Sequence, residues 1–472
     1  MSRKPTSDVS SSPLDHSMRC HLPSGWLSVT LGDLVSRSEY GTSTKCDYSG
    51  SSIPVLRIPN IALGEIDALD LKRAVTDINL GDDDELQPGD VLICRTNGSL
   101  SLLGKAAVIR TAFTDPHTFA SYLLRFRFLE RDIFPRWIHL FLSGSGRRFI
   151  ETRAASSAGQ HNISLTTLHS MPLPLAPLNE QRRIVSKIEE LFSDLDAGVL
   201  ALKRAKANLK RYRAAVLNAA VDTTSSKLSA STSYRFGELI FKLGQGWSPK
   251  CDLNRQPEPD EWAIIKTTAV QAMKYSDQES KPLPENFQPR PEIEVTTGDF
   301  LMTRKGPRQR AGVTCLVRNT RSRLMVCDTV YRFRCRPEIV NADFLEIVLN
   351  SPSVVEAIDR KKCGISDSGV SLTHQKLYEI TFDLPPLEMQ LEIVSEVSEN
   401  LSQADAAEAL IDHGLLRSAR LRQSILKQAF EGKLAPQDPN DEPASVMLDK
   451  LHGGQTEEAP KKQRRTRQSP KV

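Results

Sequence analysis

The chain has 472 residues, of which 39% are apolar and 25% charged, and its formal net charge is +4. That length exceeds one core and suggests about three domains of ~150 residues, and the composition excludes fibrous and disordered classes. No apolar run reaches the ~18 residues of a spanning helix, the opening "MSRKPTSDVSSSPLDHSMRC" lacks a signal-peptide core, and the eight cysteines form no C-x-x-C pair, so the expectation is a cytoplasmic protein with reduced thiols and no metal site.

In chain order, residues 1–21 read as a disordered extension and 22–176 as a mixed α/β domain. Short β-branched runs ("IPVLRI", "DVLICR", "AAVIR") precede an aromatic-rich segment, a helix from Pro135 ("PRWIHLFLSGSGRRFIE") and a proline-punctuated exit. A basic, glycine-containing loop follows "GD" and carries Arg95, Asn97, Gly98 and Lys105. Gln160, His161 and Asn162 stand in "SAGQHNI" before the exit. Arg125 and Arg127 alternate in "LLRFRF", sharing one face that either tracks phosphates or is a solvated sheet surface.

A long amphipathic helix is expected over 177–222. Pro177 stops what precedes, Asn179 can cap, and Glu180 suits the positive end of the helix dipole. Ile188, Leu195, Leu202, Leu209 and Val216 recur every seven residues, a coiled-coil seam. A polar linker over 223–233 leads to a second α/β domain, 234–385, with its own helix from Ala342 and its own loop: Arg304, Lys305, Gly306, Arg308, Gln309 and Arg310. A second long helix, 386–433, carries Val397, Ala404, Ile411 and Ile425 on one line, and 434–472 reads as a tail, largely disordered after 452.

The two halves repeat one plan. Pro177 and Pro386 differ by 386 − 177 = 209 positions, and the same offset takes Gln181 to Gln390, Ile184 to Ile393, Leu217 to Leu426 and Gly89 to Gly298. Each long helix is acidic at its start (Glu189, Asp194; Glu392, Glu396) and basic at its end (Lys210, Arg213; Arg420, Lys427). Antiparallel pairing sets acid against base and aligns the dipoles favourably, which predicts an antiparallel pair; ~40 residues make a rod of roughly 60 Å that would hold two globules apart.

Such a pseudo-two-fold arrangement suits a two-part site on a double helix. Arg and Lys donate to guanine, Asn and Gln pair with adenine, and glycine lets backbone approach phosphate. The two loops differ in sequence, so if they read bases the two half-sites must differ too. No P-loop, methyltransferase tetrapeptide or dinucleotide fingerprint is present: "NGSLSLLGKA" spaces its glycines one residue too far and puts Ala106 after Lys105. A coiled-coil scaffold that never touches DNA, or a DNA-modifying enzyme, are the competing classes.

The paired entries "PLAPLNEQRRIV" and "LPPLEMQLEIV", the "GDVL…R…G" loops and above all the exit "SILKQAFEGKLAPQDPNDEPASVML" (Ser424 to Leu448) resemble the specificity (S) subunits of type I restriction-modification systems. The resemblance implies an α+β chain in which two target recognition domains are separated by a long antiparallel two-helix coiled coil, with an internal pseudo-two-fold repeat. It implies double-stranded DNA, two methyltransferase (M) subunits and, through them, motor/endonuclease (R) subunits as partners, in a restricting or a methylation-only system. It also implies no catalytic centre in this chain, with S-adenosylmethionine, ATP and Mg used by the partners.

Overall fold

The computed structural model describes residues 22–455 apart from 82, 158, 227–230, 252–254 and 365, and without the side chains of 223–226, 454 and 455. The predicted extension 1–21, part of the predicted linker and the end of the predicted tail therefore lie outside the described residues. The chain divides into two compact units, one from Met1–Leu200 with Leu415–Val472, the other from Ala201–Gly414.

In the first unit a four-stranded antiparallel sheet runs in the order Val35–Tyr40, Leu123–Phe128, Val91–Cys94, Ala106–Val108. The strand Val91–Cys94 is apolar throughout because it has a core on each side. Val91 and Ile93 face the main core, Leu92 and Cys94 a second one. The helix Ile133–Ser143 places Phe134, Trp137, Ile138 and Phe141 at i, i+3, i+4 and i+7, the spacing of one buried face, and closes the main core.

The second unit repeats this topology: Gly244–Gln245, Val330–Phe333, Phe300–Thr303, Thr314–Leu316 in the same strand order. The offset of 209 holds residue for residue where strands and helices match: Pro54–Leu56 with Ala263–Ile265, Val91–Cys94 with Phe300–Thr303, Leu165–His169 with His374–Tyr378, and Pro172–Leu175 with Thr381–Leu384.

The repeated "GD" is a turn that builds the frame. Gly89 and Gly298 have φ of 89° and 88°, a region that favours glycine, and at Gly89 a Cβ would meet the Arg131 carbonyl at 2.4 Å. Asp90 and Asp299, both buried, accept the N–H of Gln87 and Thr296 at 2.9 and 2.8 Å. Arg127 then grips Asp90 at 2.8 and 2.9 Å, and Arg334 grips Asp299 at 2.7 Å. Arg125 is fully buried and donates to the carbonyls of Asp83, Asp84 and Glu85, and Arg332 donates to those of Glu292 and Glu294.

The expectation for these arginines is thus corrected. Arg125 and Arg127 neither track phosphates nor cover a solvated sheet; they latch the loop before the turn, and Arg332 and Arg334 latch its counterpart. A guanidinium held by a buried carboxylate and several backbone carbonyls is committed to the loop it latches.

The long helices are Leu178–Ser226 and Leu387–Phe430, 49 and 44 residues, the first running four residues past its predicted end. Their starts share one device. Gln181 and Gln390 are wholly buried and donate to the carbonyls of Ala176 and Pro385, at 2.7 and 2.9 Å, just ahead of the matched prolines. Within the second unit the helices run antiparallel: Lys206 meets Asp412 at 2.6 Å, Tyr212 meets Asn400 at 3.1 Å, and Arg213 bonds Glu408 and Asp405. Gly414 lies so near Leu202 that a Cβ would come within 3.1 Å of its methyl. Within the first unit Arg422 pairs with Asp196, again a rising number against a falling one.

The nine seam positions are placed as follows. Ile188, Val397, Ala404, Ile411 and Ile425 are buried, while Leu195, Leu202, Leu209 and Val216 are half-buried. The line in the second helix, irregular in sequence, is therefore the more deeply covered one.

The end of the chain completes the first unit. Phe430 packs edge-on against Trp137 and Phe141, with ring centroids at 4.7 and 5.2 Å. A helix, Ala444–Gln455, brings Ala444, Met447 and Leu448 into the same core as Trp26, and Ala444 N–H donates to Gly25 at 2.9 Å. Part of the segment expected as tail is thus a core element, because its apolar residues cover a face that the N-terminal residues leave open.

Candidate nucleic-acid interface

Each unit projects a short strand pair from the loop after "GD". In the first, Thr96–Asn97 pairs with Gln160–Asn162, which pairs in turn with Ala155–Ser157. In the second, Lys305–Gly306 pairs with Val370–Ser371. Both are anchored alike, since Ile163 N–H donates to the Arg95 carbonyl at 2.9 Å and Leu372 N–H to that of Arg304 at 2.7 Å. The loop crests are also pinned from below: Arg147 donates to the carbonyls of Leu103 and Leu100, and Lys362 to that of Arg308 at 2.7 Å.

The structure brings Arg95, Asn97, Gln160, His161 and Asn162 together. Asn97 faces His161 across the register, Gln160 accepts the Thr96 hydroxyl at 3.3 Å, and Gln160 and Asn162 are exposed. Arg95 lies over the Tyr40 ring at 4.9 Å and donates to the Ser121 carbonyl at 3.0 Å, so its side chain supports the loop from one side. Lys105 is elsewhere: it lines a cavity of about 1210 Å³ in the same unit with Arg110, Arg136, His139, Glu189 and Arg422.

In the second unit Arg304 lies over Tyr331 at 5.4 Å, matching Arg95. Burial first, then the charge of Arg304, keeps His374 below its ordinary pKa. The basic run beyond is mostly committed. Lys305 bonds Asp328 at 2.8 Å, and although burial opposes it, this ammonium holds the Asp328 carboxyl below the usual range. Arg308 bonds Asp367 and Asp359 at 2.8 and 3.1 Å. Arg310 bonds Gln271 and the carbonyls of Thr267 and Val270 at 2.7 to 2.8 Å. Gln309 is exposed and bonds none of the described residues. Sequence pattern does not show these ties, because Asp359 and Asp367 lie more than fifty residues away along the chain.

Residues 23–204 match the family model described as the type I restriction modification DNA specificity domain. Among curated relatives, the EcoKI specificity subunit of Escherichia coli K12 is 26% identical over 91% of this chain and 95% of its own length. Over most of its length the chain is thus similar to the specificity subunits of type I restriction-modification systems.

The StySPI specificity subunit of Salmonella potsdam is 25% identical over 92% of this chain and 96% of its own, and the EcoEI specificity subunit of Escherichia coli is 37% identical over 36% of this chain, though over only 29% of that protein. The fold is shared with a solved chain reported under complex assembly and conformational transition of the type I R-M system (TM-score 0.67, 17% identity, 88% of this chain and 99% of that one). It is shared also with the HsdS subunit of Thermoanaerobacter tengcongensis (TM-score 0.50, 18% identity, 88% and 98%). Among the described residues no helix is long and apolar enough to cross a membrane.

The seven described cysteines are free. Burial pushes the thiols of Cys94 and Cys315 up to about 11 and about 12, which makes them poor nucleophiles at neutral pH. Among the described residues no group of three His, Cys, Asp or Glu is placed to hold a metal.

Proposed function

We propose that each α/β unit reads one half of an asymmetric, bipartite DNA site, that the paired long helices set the spacer between the halves, and that the helices dock two methyltransferase subunits. One observation carries this reading: the same projecting strand pair, anchored by the same backbone bonds, carries Asn, Gln and His in one unit and Lys and Gly in the other. A duplicated frame with unlike tips suits two unlike half-sites.

Docking is supported by apolar side chains left exposed on the long helices, Leu391, Leu410, Leu416 and Leu421, in a chain whose other leucines are mostly covered. Methyl transfer with S-adenosylmethionine, and ATP- and Mg-dependent translocation and cleavage where R subunits are present, then belong to the partners, and this chain works in the cytoplasm as their address reader.

The test is binding of the assembled complex to duplexes across a salt series, beside a methylome of the host with and without the chain. The reading expects steep loss of binding with salt and one split adenine-methylated motif that vanishes with the chain. Binding indifferent to salt, or a methylome unchanged by deletion, would overturn it.

A further inference from the structure

The projecting strands of the first unit are unusual for a sheet in having almost nothing to bury. Ala155–Ser157 is exposed at all three positions, and in Gln160–Asn162 only His161 is half-covered. A small three-stranded sheet without a covered apolar face is at best marginally stable by itself, so a partner surface is the natural place for it to earn its shape. The ribbon is also uncharged: Ser156, Ser157, Gln160 and Asn162 show neutral polar groups, whereas phosphate tracking calls for cations.

Register sorts the side chains by face. Ser157 pairs with Gln160, and Ala155 with Asn162, which pairs with Thr96, so Thr96, Gln160 and Asn162 share one face. On it, the Thr96 hydroxyl donates to Gln160 Oε1 at 3.3 Å, turning the Gln160 amide N–H₂ outward while its oxygen keeps a second lone pair. Asn162 is exposed and its amide bonds none of the described residues. A side-chain amide offers one donor and one acceptor side by side, the complement of the N7 and N6–H₂ edge of adenine, and the major groove is wide enough to admit a two-stranded ribbon. Gln160 and Asn162 stand roughly 7 Å apart along the strand, too far to serve one base pair of a stack that rises ~3.4 Å per step.

Resting on the proposed DNA reading, we infer that the strands Ala155–Ser157 and Gln160–Asn162 enter the major groove of the first unit's half-site. There Gln160 and Asn162 each read one adenine-bearing base pair, and Thr96 positions Gln160. The second unit has no counterpart, since Lys305–Gly306 and Val370–Ser371 carry no amide and the neighbouring cations are held by Asp328, Asp359 and Asp367. Amide readout from paired strands is therefore confined to one half of the motif; the exposed amide of the second unit, Gln309, stands on a loop outside its strand pair.

The experiment uses the full chain co-expressed with its methyltransferase partners, and compares methylated motifs for wild type, Gln160→Ala, Asn162→Ala and Thr96→Val. Each alanine should relax one A·T position in the same half-site, with discrimination against the wrong base falling about 5- to 150-fold, while the other half-site stays intact and so reports that the chain is folded. Thr96→Val should weaken selection at the Gln160 position alone.

Where a variant abolishes methylation, competition binding with duplexes altered base by base replaces the methylome. Unequal losses centred on one A·T pair support the inference, and equal losses at every position overturn it. An unchanged motif, a relaxed G·C position, or relaxation in both half-sites would also overturn it while leaving the DNA-reading function standing. If wild type itself yields no split motif, it is that function that fails.

Discussion

Replacing Phe430 with alanine tests whether the end of the second long helix is part of the first unit's core or merely the end of a spacer. The ring is 5% exposed and sits edge-on to Trp137 and Phe141. Truncation removes on the order of 100 Å² of buried aromatic surface, ~2.5 kcal/mol at about 25 cal/mol per Å². The cavity left among Trp137, Phe141 and their neighbours raises the cost to ~4 kcal/mol, within the range for buried phenylalanines. The assay exploits the distribution of tryptophans: Trp26 and Trp137 lie in the first unit, Trp247 and Trp262 in the second. In a Trp247→Phe, Trp262→Phe background, fluorescence reports the first unit alone during urea unfolding. Phe430→Ala should move that transition by ~4 kcal/mol, and Leu416→Ala, on an exposed leucine, by under ~0.5 kcal/mol. A Phe430→Ala transition that coincides with the background would refute the claim that the C-terminal segment closes this unit.

Three further outcomes are expected. Arg127→Ala should destabilise the first unit by ~3–5 kcal/mol, because it strips the main partner from the buried carboxylate of Asp90, yet leave the salt slope of DNA binding unchanged; a shallower slope would restore the arginine to a phosphate-contacting role. His139, driven down to about 4 by burial and then by the nearby Arg110, binds its proton later than in the unfolded chain. Stability of the first unit should therefore fall as pH drops from about 6.5 to about 4, at up to ~1.4 kcal/mol per pH unit from this group, and His139→Gln should flatten that part of an unfolding-versus-pH curve. Inserting seven residues into both long helices at facing positions adds roughly 10 Å, about three base pairs of rise at ~3.4 Å each. The methylated motif should gain that spacer with both half-sites unaltered, and a constant spacer would count against the helices as its ruler.

Much of the frame was legible because it is written twice. An offset that keeps Pro177 and Pro386, Gln181 and Gln390, and Gly89 and Gly298 in step marks positions with one physical job, and the structure shows the jobs: a helix start, a carbonyl partner for it, and a left-handed turn. The helix pairing was legible for a different reason, since charge that changes sign along both helices is satisfied only when they run in opposite directions, as Lys206 with Asp412 and Arg422 with Asp196 do. What a single sequence hides is which cations are already spent. Arg125 and Arg308 look alike in composition, and whether either is free depends on carboxylates and carbonyls tens of residues away. The first helix outran its expected end for a related reason, as "DTTSS" has weak helical propensity and continues only because the preceding turns, with Leu217 and Ala220 buried, fix the axis.

The contrast between the two units follows from this accounting of partners. Where arginines are bound internally by acidic residues, a loop gains rigidity and loses donors, and the exposed residues that remain, Gln309 and the serines beside Asp367, are few. Where the loop is built without charge, as at Asn97, Gln160 and Asn162, the donors stay available and no ion pair must be broken to meet a base. On the proposed reading, selection for a new target has an easy route in the first unit, through substitution on an exposed ribbon. In the second it faces a network in which changing Arg308 or Arg310 disturbs the loop that displays them. The first half-site should accordingly be the more readily re-addressed of the two.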